Sequence, residues 1–252
     1  MADPETSSSK KPTPATSTGN YGPDPYDINW CLPLHETTLE SDRVKLTPFI
    51  PSLHAKEYAE QVTAHPELHR YFPIDLSNLD KILTTIEAFM RSFPICILFA
   101  VIDKARGGAL AGMIGLINAS PTFFRIEIAW ALVFPAFQRT YVTTNAVGLL
   151  LNYCLDPPNA PERPGLGFVR VQWTGHTESE LSCATAKRMG FKEEGVMRWT
   201  WVMLDGMEGN GRPIRDGDPE GPKAGRDSVL FSLCADDWKN GGREHVQRLI
   251  SR

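Results

Sequence analysis

Three places in the chain carry residue types and spacings that could do chemistry. Glu127 lies in the apolar run R-I-E-I-A-W-A-L-V, residues 125–133. Strand side chains alternate between faces, so Glu127 is expected to point away from Ile126, Ile128 and Trp130. On a face lining a cleft, partial desolvation would raise its pKa toward the range of a working general base. The same alternation also fits a solvated charge on a half-exposed strand. His176 stands at a strand end just before a helix and is the second candidate base; a loop histidine with no role fits it as well. Gln138-Arg139-Thr140 separates the Glu127 strand from an amphipathic helix. A strand running into a helix N-terminus can hold an anion with backbone N–H groups. Cys183 adjoins Ser182 but has no evident histidine partner, which disfavours a covalent thiol mechanism. His65 and His69 have i, i+4 spacing, but Pro66 argues against the regular helix that a metal pair there requires.

The elements that must position these groups can be read from periodicity. Arg43 to Phe49 alternates as a strand, and Pro51-Ser52 open a helix over residues 53–64. Ser77 to Phe93 reads as a longer helix, with Ser77 and Asp80 as a capping arrangement and Leu79, Ile82, Leu83, Ile86, Met90 and Phe93 on one face. Strands follow at 95–103, 109–119 and 126–134, joined by turns at Arg106-Gly107-Gly108 and Ser120-Pro121. After the 138–140 loop, Val142, Ala146, Leu149, Leu150 and Tyr153 mark a helix. A proline-rich loop over 156–167 leads to a strand at 168–173. Thr177 and Glu180 match a capping box for a helix ending at Gly190, which reads as a C′ glycine. Strands at 195–204 and 228–234 and a helix over 236–252 complete the chain. Short turns make the three central strands antiparallel neighbours, and strand-helix-strand passages imply parallel crossovers. The fold class is therefore α/β in the broad sense (α+β), with a mixed sheet flanked by helices. Residues 1–29, rich in Pro, Ser, Thr and Gly, read as a disordered leader, and 30–252 as a single domain. Residues 205–226, glycine-rich and polar, read as a flexible insertion.

Composition narrows the partners. The 252 residues carry a net charge of −4, so no global positive field favours nucleic acid. The longest uninterrupted apolar run is 95–102, far short of a membrane span, and the first twenty residues lack a secretory apolar segment. Cys31, Cys96, Cys154, Cys183 and Cys234 are odd in number and scattered, which suits free thiols in a reducing, cytoplasmic compartment.

Five stretches occur in an order that resembles the GNAT superfamily of acyl-CoA-dependent N-acyltransferases, in its ribosomal-protein-alanine acetyltransferase-like branch. They are Arg43-Val-Lys-Leu, Glu127-Ile-Ala-Trp, Gln138-Arg-Thr-Tyr-Val-Thr-Thr-Asn-Ala, Gly190-Phe-Lys-Glu-Glu-Gly-Val-Met-Arg, and Arg226-Asp-Ser-Val-Leu-Phe-Ser followed by Trp238. The resemblance implies a central, mostly antiparallel sheet of six to seven strands. It implies acetyl-CoA as co-substrate, with no metal. The acceptor would be a small-molecule amine or a protein N-terminus, with no nucleic acid or membrane partner, and the protein a monomer or homodimer. By resemblance, Ala131, Leu132 and Val133 would pair with the pantetheine arm and supply an N–H to the acyl oxygen. The N–H groups of Gln138, Arg139, Thr140, Tyr141, Val142 and Thr143 would hold the pyrophosphate. Ser182 would protonate the departing thiolate, and Ser179 stands where the branch often has Asn. Glu127, or His176, would take the amine proton. The chain departs from the branch at Tyr141, where Gly or His is usual, and at Asn145, where Glu is expected; the bulk of Tyr141 is expected to shift the phosphates slightly. Two other readings stay open: a CoA-binding protein without transfer activity, and an acyl-CoA enzyme using another nucleophile. The 205–226 segment is placed to shape the acceptor side.

Overall fold

The computed structural model describes residues 21–161, 163–213, 216–217 and 223–252. In chain order it contains strand β1 (Val44–Pro48), helices α1 (Pro51–Ala64) and α2 (Leu79–Thr85), and the meander β2 (Ile97–Asp103), β3 (Ala109–Ser120) and β4 (Arg125–Val133). Helix α3 (Val142–Leu155), strand β5 (Arg170–His176), helix α4 (Glu180–Arg188) and strands β6 (Lys192–Val202), β7 (Arg212–Pro213) and β8 (Ala224–Cys234) follow. The chain closes with a single turn α5 (Ala235–Asp237) and helix α6 (Arg243–Ile250). The sheet order is β1-β2-β3-β4-β5-β8-β6, with the two-residue β7 added on β8. Among the described residues, only β4 and β5 pair in parallel, across the α3 crossover; the other ladders are antiparallel. Among the described residues no helix is long and apolar enough to cross a membrane.

Some local expectations change. The helices between β1 and β2 do not make a parallel crossover, because the long connection carries the chain back to the end from which β1 departs, and the two strands are antiparallel. Asn78, not Ser77, caps α2: its Oδ1 accepts the Lys81 N–H at 3.1 Å. The Thr177–Glu180 box does not form, since α4 starts at Glu180 with Ser179 as N-cap. The helix expected over 236–252 is broken at Asn240 and Gly241, whose backbones are non-helical. The strand expected from 228 begins at Ala224, so Arg226 belongs to the sheet rather than to the insertion.

Strand alternation divides the side chains between two cores. Ile126, Ile128, Val171, Trp173, Val229 and Phe231 face α3, α4 and α6. Leu98, Ala100, Met113 and Leu132 face α1 and α2. A β-bulge in β4 interrupts this division. Met113 pairs with Leu132 and Gly115 with Ala129, so Trp130 and Ala131 together oppose Ile114. An extra residue reverses the side-chain parity beyond it. Trp130, at φ 56°, is thereby turned to the α1/α2 side and packs edge-on against Phe72, 5.6 Å between centroids. Trp130 does not share the face of Ile126 and Ile128, as unbroken alternation predicts. Gly112, opposite Val133, sits against this irregularity at φ 154°, where an added Cβ would lie 2.1 Å from the Leu132 carbonyl oxygen.

The two segments expected to be loosely held are partly tied down. Residues 1–20 of the leader lie outside the described residues. Beyond them, the Tyr26 hydroxyl donates to Glu87 at 3.0 Å and the Asn29 amide to the Arg91 carbonyl at 2.7 Å. Within 205–226, residues 214–215 and 218–222 lie outside the described residues. Glu208 pairs with Arg70 at 2.5 Å, Asn210 donates its N–H to the Gly225 carbonyl, and Arg212 pairs with Asp227 at 2.8 Å.

Three strands are clipped together at their far end. The Arg170 guanidinium on β5 donates two bonds to Glu194 on β6, at 2.7 and 2.5 Å, and Ser232 on β8 donates a third at 2.6 Å. Arg170 and Ser232 hold the Glu194 carboxyl down at about 2, below its ordinary 4.5. A depressed folded-state pKa adds stability above pH 4.5 that disappears as pH falls through about 2. Glu194→Gln should therefore lower stability at pH 7 by about 0.5–1 kcal/mol, a value limited by solvent screening. Denaturant melts across pH should show the difference from wild type vanishing near the folded pKa. Gly112→Ala should cost about 2–3 kcal/mol in the same melts, from strain and the clash with β4.

Candidate active site

The N-terminus of α3 presents backbone N–H groups that side chains do little to satisfy. Nearly every residue of the helix is buried, no acidic residue lies in its first turn, and its N-cap Tyr141 makes no side-chain capping bond. Thr140 Oγ1 accepts the Val142 N–H at 3.3 Å. The first-turn donors and the helix dipole make this end attractive to an anion. The preceding loop is anchored to β4: Gln138 Nε2 donates to the Val133 carbonyl at 2.9 Å and Thr140 Oγ1 to that of Phe137 at 2.6 Å. Gln138 and Arg139 are exposed, and Thr143 is half-buried.

The departures expected to disturb this loop are accommodated. Arg139 adopts the left-handed conformation, φ 58°, whereas Tyr141 has φ −68° and needs no glycine. The Tyr141 ring turns away from the helix end. Its hydroxyl donates to the fully buried Asp103, 2.8 and 2.9 Å from the two oxygens, and Arg43 covers its face at 4.4 Å. Burial and Asp103 push the Tyr141 pKa up, which keeps the phenol protonated. Asn145 is buried, donates to the Tyr141 carbonyl at 3.0 Å and accepts from Ser41 at 2.9 Å. Both side chains secure the loop from behind.

Between this helix end and Glu127 the sheet opens. The β4–β5 ladder stops at Ile128–Trp173, while β4 continues to Val133 and β5 to His176. The β5-facing edge of Ala131, Leu132 and Val133 therefore has no ladder partner, and an unpaired edge is a template for another extended chain. Ala131 and Val133 are half-buried; the Leu132 side chain is in the α1/α2 core. Such an opening fits an extended amide-bearing arm leading from an anion at α3.

Two hydroxyls and one thiol lie on the α4 side. Trp173 Nε1 donates to Ser182 Oγ at 3.0 Å, which leaves the serine hydrogen free to be donated elsewhere. An added Cβ at Gly175 would lie 3.2 Å from Ser182 Oγ, so this strand position keeps the two elements close. Burial pushes the Cys183 thiol pKa up, which opposes a nucleophilic thiolate. Ser179 is half-buried and makes no side-chain capping bond.

Glu127 lies on the opposite face of the sheet and is buried, with 9% exposure. Asn118 Nδ2 donates to its Oε2 at 3.1 Å. The solvated reading of this residue is excluded by its burial. Three further polar residues share this face. His176 and Ser228 are directly opposed in the β5–β8 ladder, and Arg226 lies two residues before Ser228. All three are buried, as are the His176 Nε2, Arg226 Nε and Ser228 Oγ atoms, none of which has a hydrogen-bond partner. Arg226 Nη1 donates to the Tyr71 carbonyl at 2.9 Å, and the Tyr71 ring stacks on His176 at 4.7 Å. Each buried unsatisfied polar atom costs about 1–3 kcal/mol, so three together are a burden unless a ligand completes them.

His176 is arranged as a donor. Its Nδ1 accepts the Glu178 N–H at 3.0 Å, which places the proton of the neutral ring on Nε2. Burial first, and then the charge of Arg226, lower its pKa and oppose the imidazolium. This geometry speaks against His176 as the base, because the free nitrogen already carries its hydrogen. Burial pushes the Arg226 pKa down to about 10, partly opposed by Glu127, and the guanidinium stays charged at neutral pH. Sequence reasoning noted Arg226 and Ser228 as part of a motif and gave them no role. Their signal was an arginine two positions before a serine at the start of a strand that continues as the apolar run Val229-Leu230-Phe231.

The comparisons agree with this architecture. The model of the acetyltransferase (GNAT) domain matches residues 43–192, more than half of the chain. A GCN5-related N-acetyltransferase from Brucella melitensis superposes with a TM-score of 0.64 at 24% identity, covering 83% of each chain. Mycobacterium smegmatis RimJ, solved with CoA-disulfide, gives 0.59 at 17%, covering 81% of this chain and 88% of that one. A ribosomal-protein-S5-alanine acetyltransferase from Vibrio fischeri gives 0.54 at 18%, covering 79% and 97%. No curated protein matches the chain. At these identities the structural likeness speaks to the fold, while the domain match, across the strand, loop and helix just described, speaks to the family. The chain belongs to the GNAT acetyltransferase family, whose members are acyl-CoA-dependent acetyltransferases.

Proposed function

We propose that the protein is an N-acetyltransferase that moves an acetyl group from acetyl-CoA to a primary amine by direct attack in a ternary complex. The observation that carries this reading is the opening between β4 and β5, with the sparsely capped α3 N-terminus at one end and buried Glu127 on the far face. Acetyl-CoA, when bound, supplies the activated thioester. The main chain of Gln138, Arg139, Thr140, Tyr141, Val142 and Thr143 would hold its pyrophosphate, and that of Ala131, Leu132 and Val133 its pantetheine arm. An N–H of the latter group would polarise the acyl oxygen.

Glu127 takes the proton from the amine, directly or through one water. Asn118 holds one carboxylate oxygen and leaves the other for this task. Ser182, with one lone pair engaged by Trp173, gives its hydrogen to the departing thiolate. Glu127 and Ser182 lie on opposite faces of the sheet, connected where the ladder opens, which suits amine entry from one side and cofactor entry from the other. The backward turn of Tyr141 and the structural bonds of Asn145 weaken the case for a CoA-binding protein without transfer activity. The acceptor is a small amine or a protein N-terminus. The free state of all five cysteines supports a reducing, cytoplasmic setting.

Isothermal titration of the protein with CoA should show one site; absence of binding sinks this reading. Glu127→Gln should lower kcat by about 10²–10⁴, with CoA affinity within about twofold of wild type. An unchanged kcat would remove Glu127 as the base. Ser182→Ala should lower kcat by about tenfold or more for acceptors whose chemistry is rate-limiting, and by much less when the thioester is replaced by one with a more acidic leaving thiol.

A further inference from the structure

The face that carries Glu127 also carries three buried hydrogen-bond donors that the transfer reaction does not use. Arg226 Nε, His176 Nε2 and Ser228 Oγ are all without a partner. The register places them together: Ser228 faces His176 across β5 and β8, and Arg226 lies two residues earlier on the same side of β8. Tyr71, from the segment over this end of the sheet, occupies Arg226 Nη1 and the flat side of the His176 ring. Among the described residues, no carboxylate makes an ion pair with Arg226.

The chemistry of this set is specific. Arg226 is a permanent cation, His176 presents N–H because Glu178 occupies its other nitrogen, and a serine hydroxyl can rotate to donate. Glu127 shares this face and its charge acts on Arg226 without forming an ion pair with it, so the three open donors and the guanidinium are best completed by a ligand group that offers several lone pairs and a negative charge. A neutral carbonyl would satisfy one or two of the bonds and leave the buried guanidinium without an ion-pair partner. A carboxylate accepts up to four bonds and neutralises the charge. An ammonium in that place would meet a like charge.

We propose that Arg226, His176 and Ser228 bind the carboxylate of the acceptor, so that the acceptor is an amino-carboxylate whose amine is presented to Glu127. This proposal rests on the transfer reading for the amine and on the donor set alone for the carboxylate. The carboxylate is held while its amine is acetylated, and the same anchor is retained in the N-acetylated product.

Two measurements separate the proposal from the reading beneath it. The first is equilibrium binding of N-acetyl amino acids and their primary amides to the full chain saturated with CoA. The acids should bind at least tenfold more tightly than the matched amides, and Ser228→Ala should reduce that ratio at least threefold. Equal affinities for acid and amide, or no binding of any acid, overturn the carboxylate site whether or not the protein turns over. The second is thiol release from acetyl-CoA with matched amino acids, amino amides, decarboxylated amines and short peptides. The amino acids should lead in kcat/KM by at least tenfold. Arg226→Gln should collapse that preference mainly through KM; since Arg226 also holds Tyr71, its fold is checked by melting and Ser228→Ala serves as the milder second variant. Efficient release with decarboxylated amines or peptides over amino acids overturns the carboxylate site and leaves the transfer reading standing. Tight acid binding without thiol release from any acceptor overturns the transfer reading and supports the carboxylate site.

Discussion

The structure depends on a sheet that is deliberately incomplete at its centre. Backbone N–H and C=O groups buried away from water must find partners, and a β-ladder is the usual way to supply them. Here β4 and β5 share a ladder only from Arg125–Arg170 to Ile128–Trp173, and then part. The bulge at Trp130 and Ala131 turns β4 as the ladder ends. Gly112 permits the close approach of β3 to the turned strand, which a side chain would prevent. The edge so exposed is rigid because the rest of β4 stays bound to β3. A rigid, unpaired edge can bind an extended ligand without first paying to order itself.

Around this opening the protein divides its electrostatics by face. The α3 side offers backbone dipoles and few charged side chains, since α3 is buried along nearly its whole length. The opposite side gathers Glu127, His176, Arg226 and Ser228, all buried. Their positions follow from strand parity: the apolar partners of each, Ile126 and Ile128, Trp173, Val229, point into the α3 core. The donors left without partners there destabilise the folded chain. The Arg170–Glu194–Ser232 clip and the two apolar cores offset that burden elsewhere in the same sheet. Concentrated local misfit inside an otherwise well-satisfied fold is what a binding site requires.

Tyr141 and Asn145 show how a substitution read in isolation misleads. In sequence, a tyrosine beside the phosphate turn suggests obstruction. In the folded chain its backbone is helical, its ring lies under Arg43, and its hydroxyl closes onto Asp103, thirty-eight positions earlier. Asn145 reaches Ser41 before β1. One is tied to the end of β2 and the other to the segment before β1, and no local pattern announces such contacts.

The order of the long elements, the tight β2-β3-β4 meander and the strand-loop-helix around 125–155 are legible in the residues alone, because hydrophobic period and turn chemistry are local properties. The sequence also shows that Glu127 interrupts an apolar series. It could not place Trp130, because a bulge is a register event between two strands and leaves no mark in one. It could not join Arg226 to Glu127, nor give His176 its tautomer. Those depend on β8 inserting between β5 and β6, and on which backbone N–H reaches Nδ1. Non-local pairing decides which buried groups find partners and which are left waiting for a ligand, so the chemistry of this face became visible only in the tertiary structure.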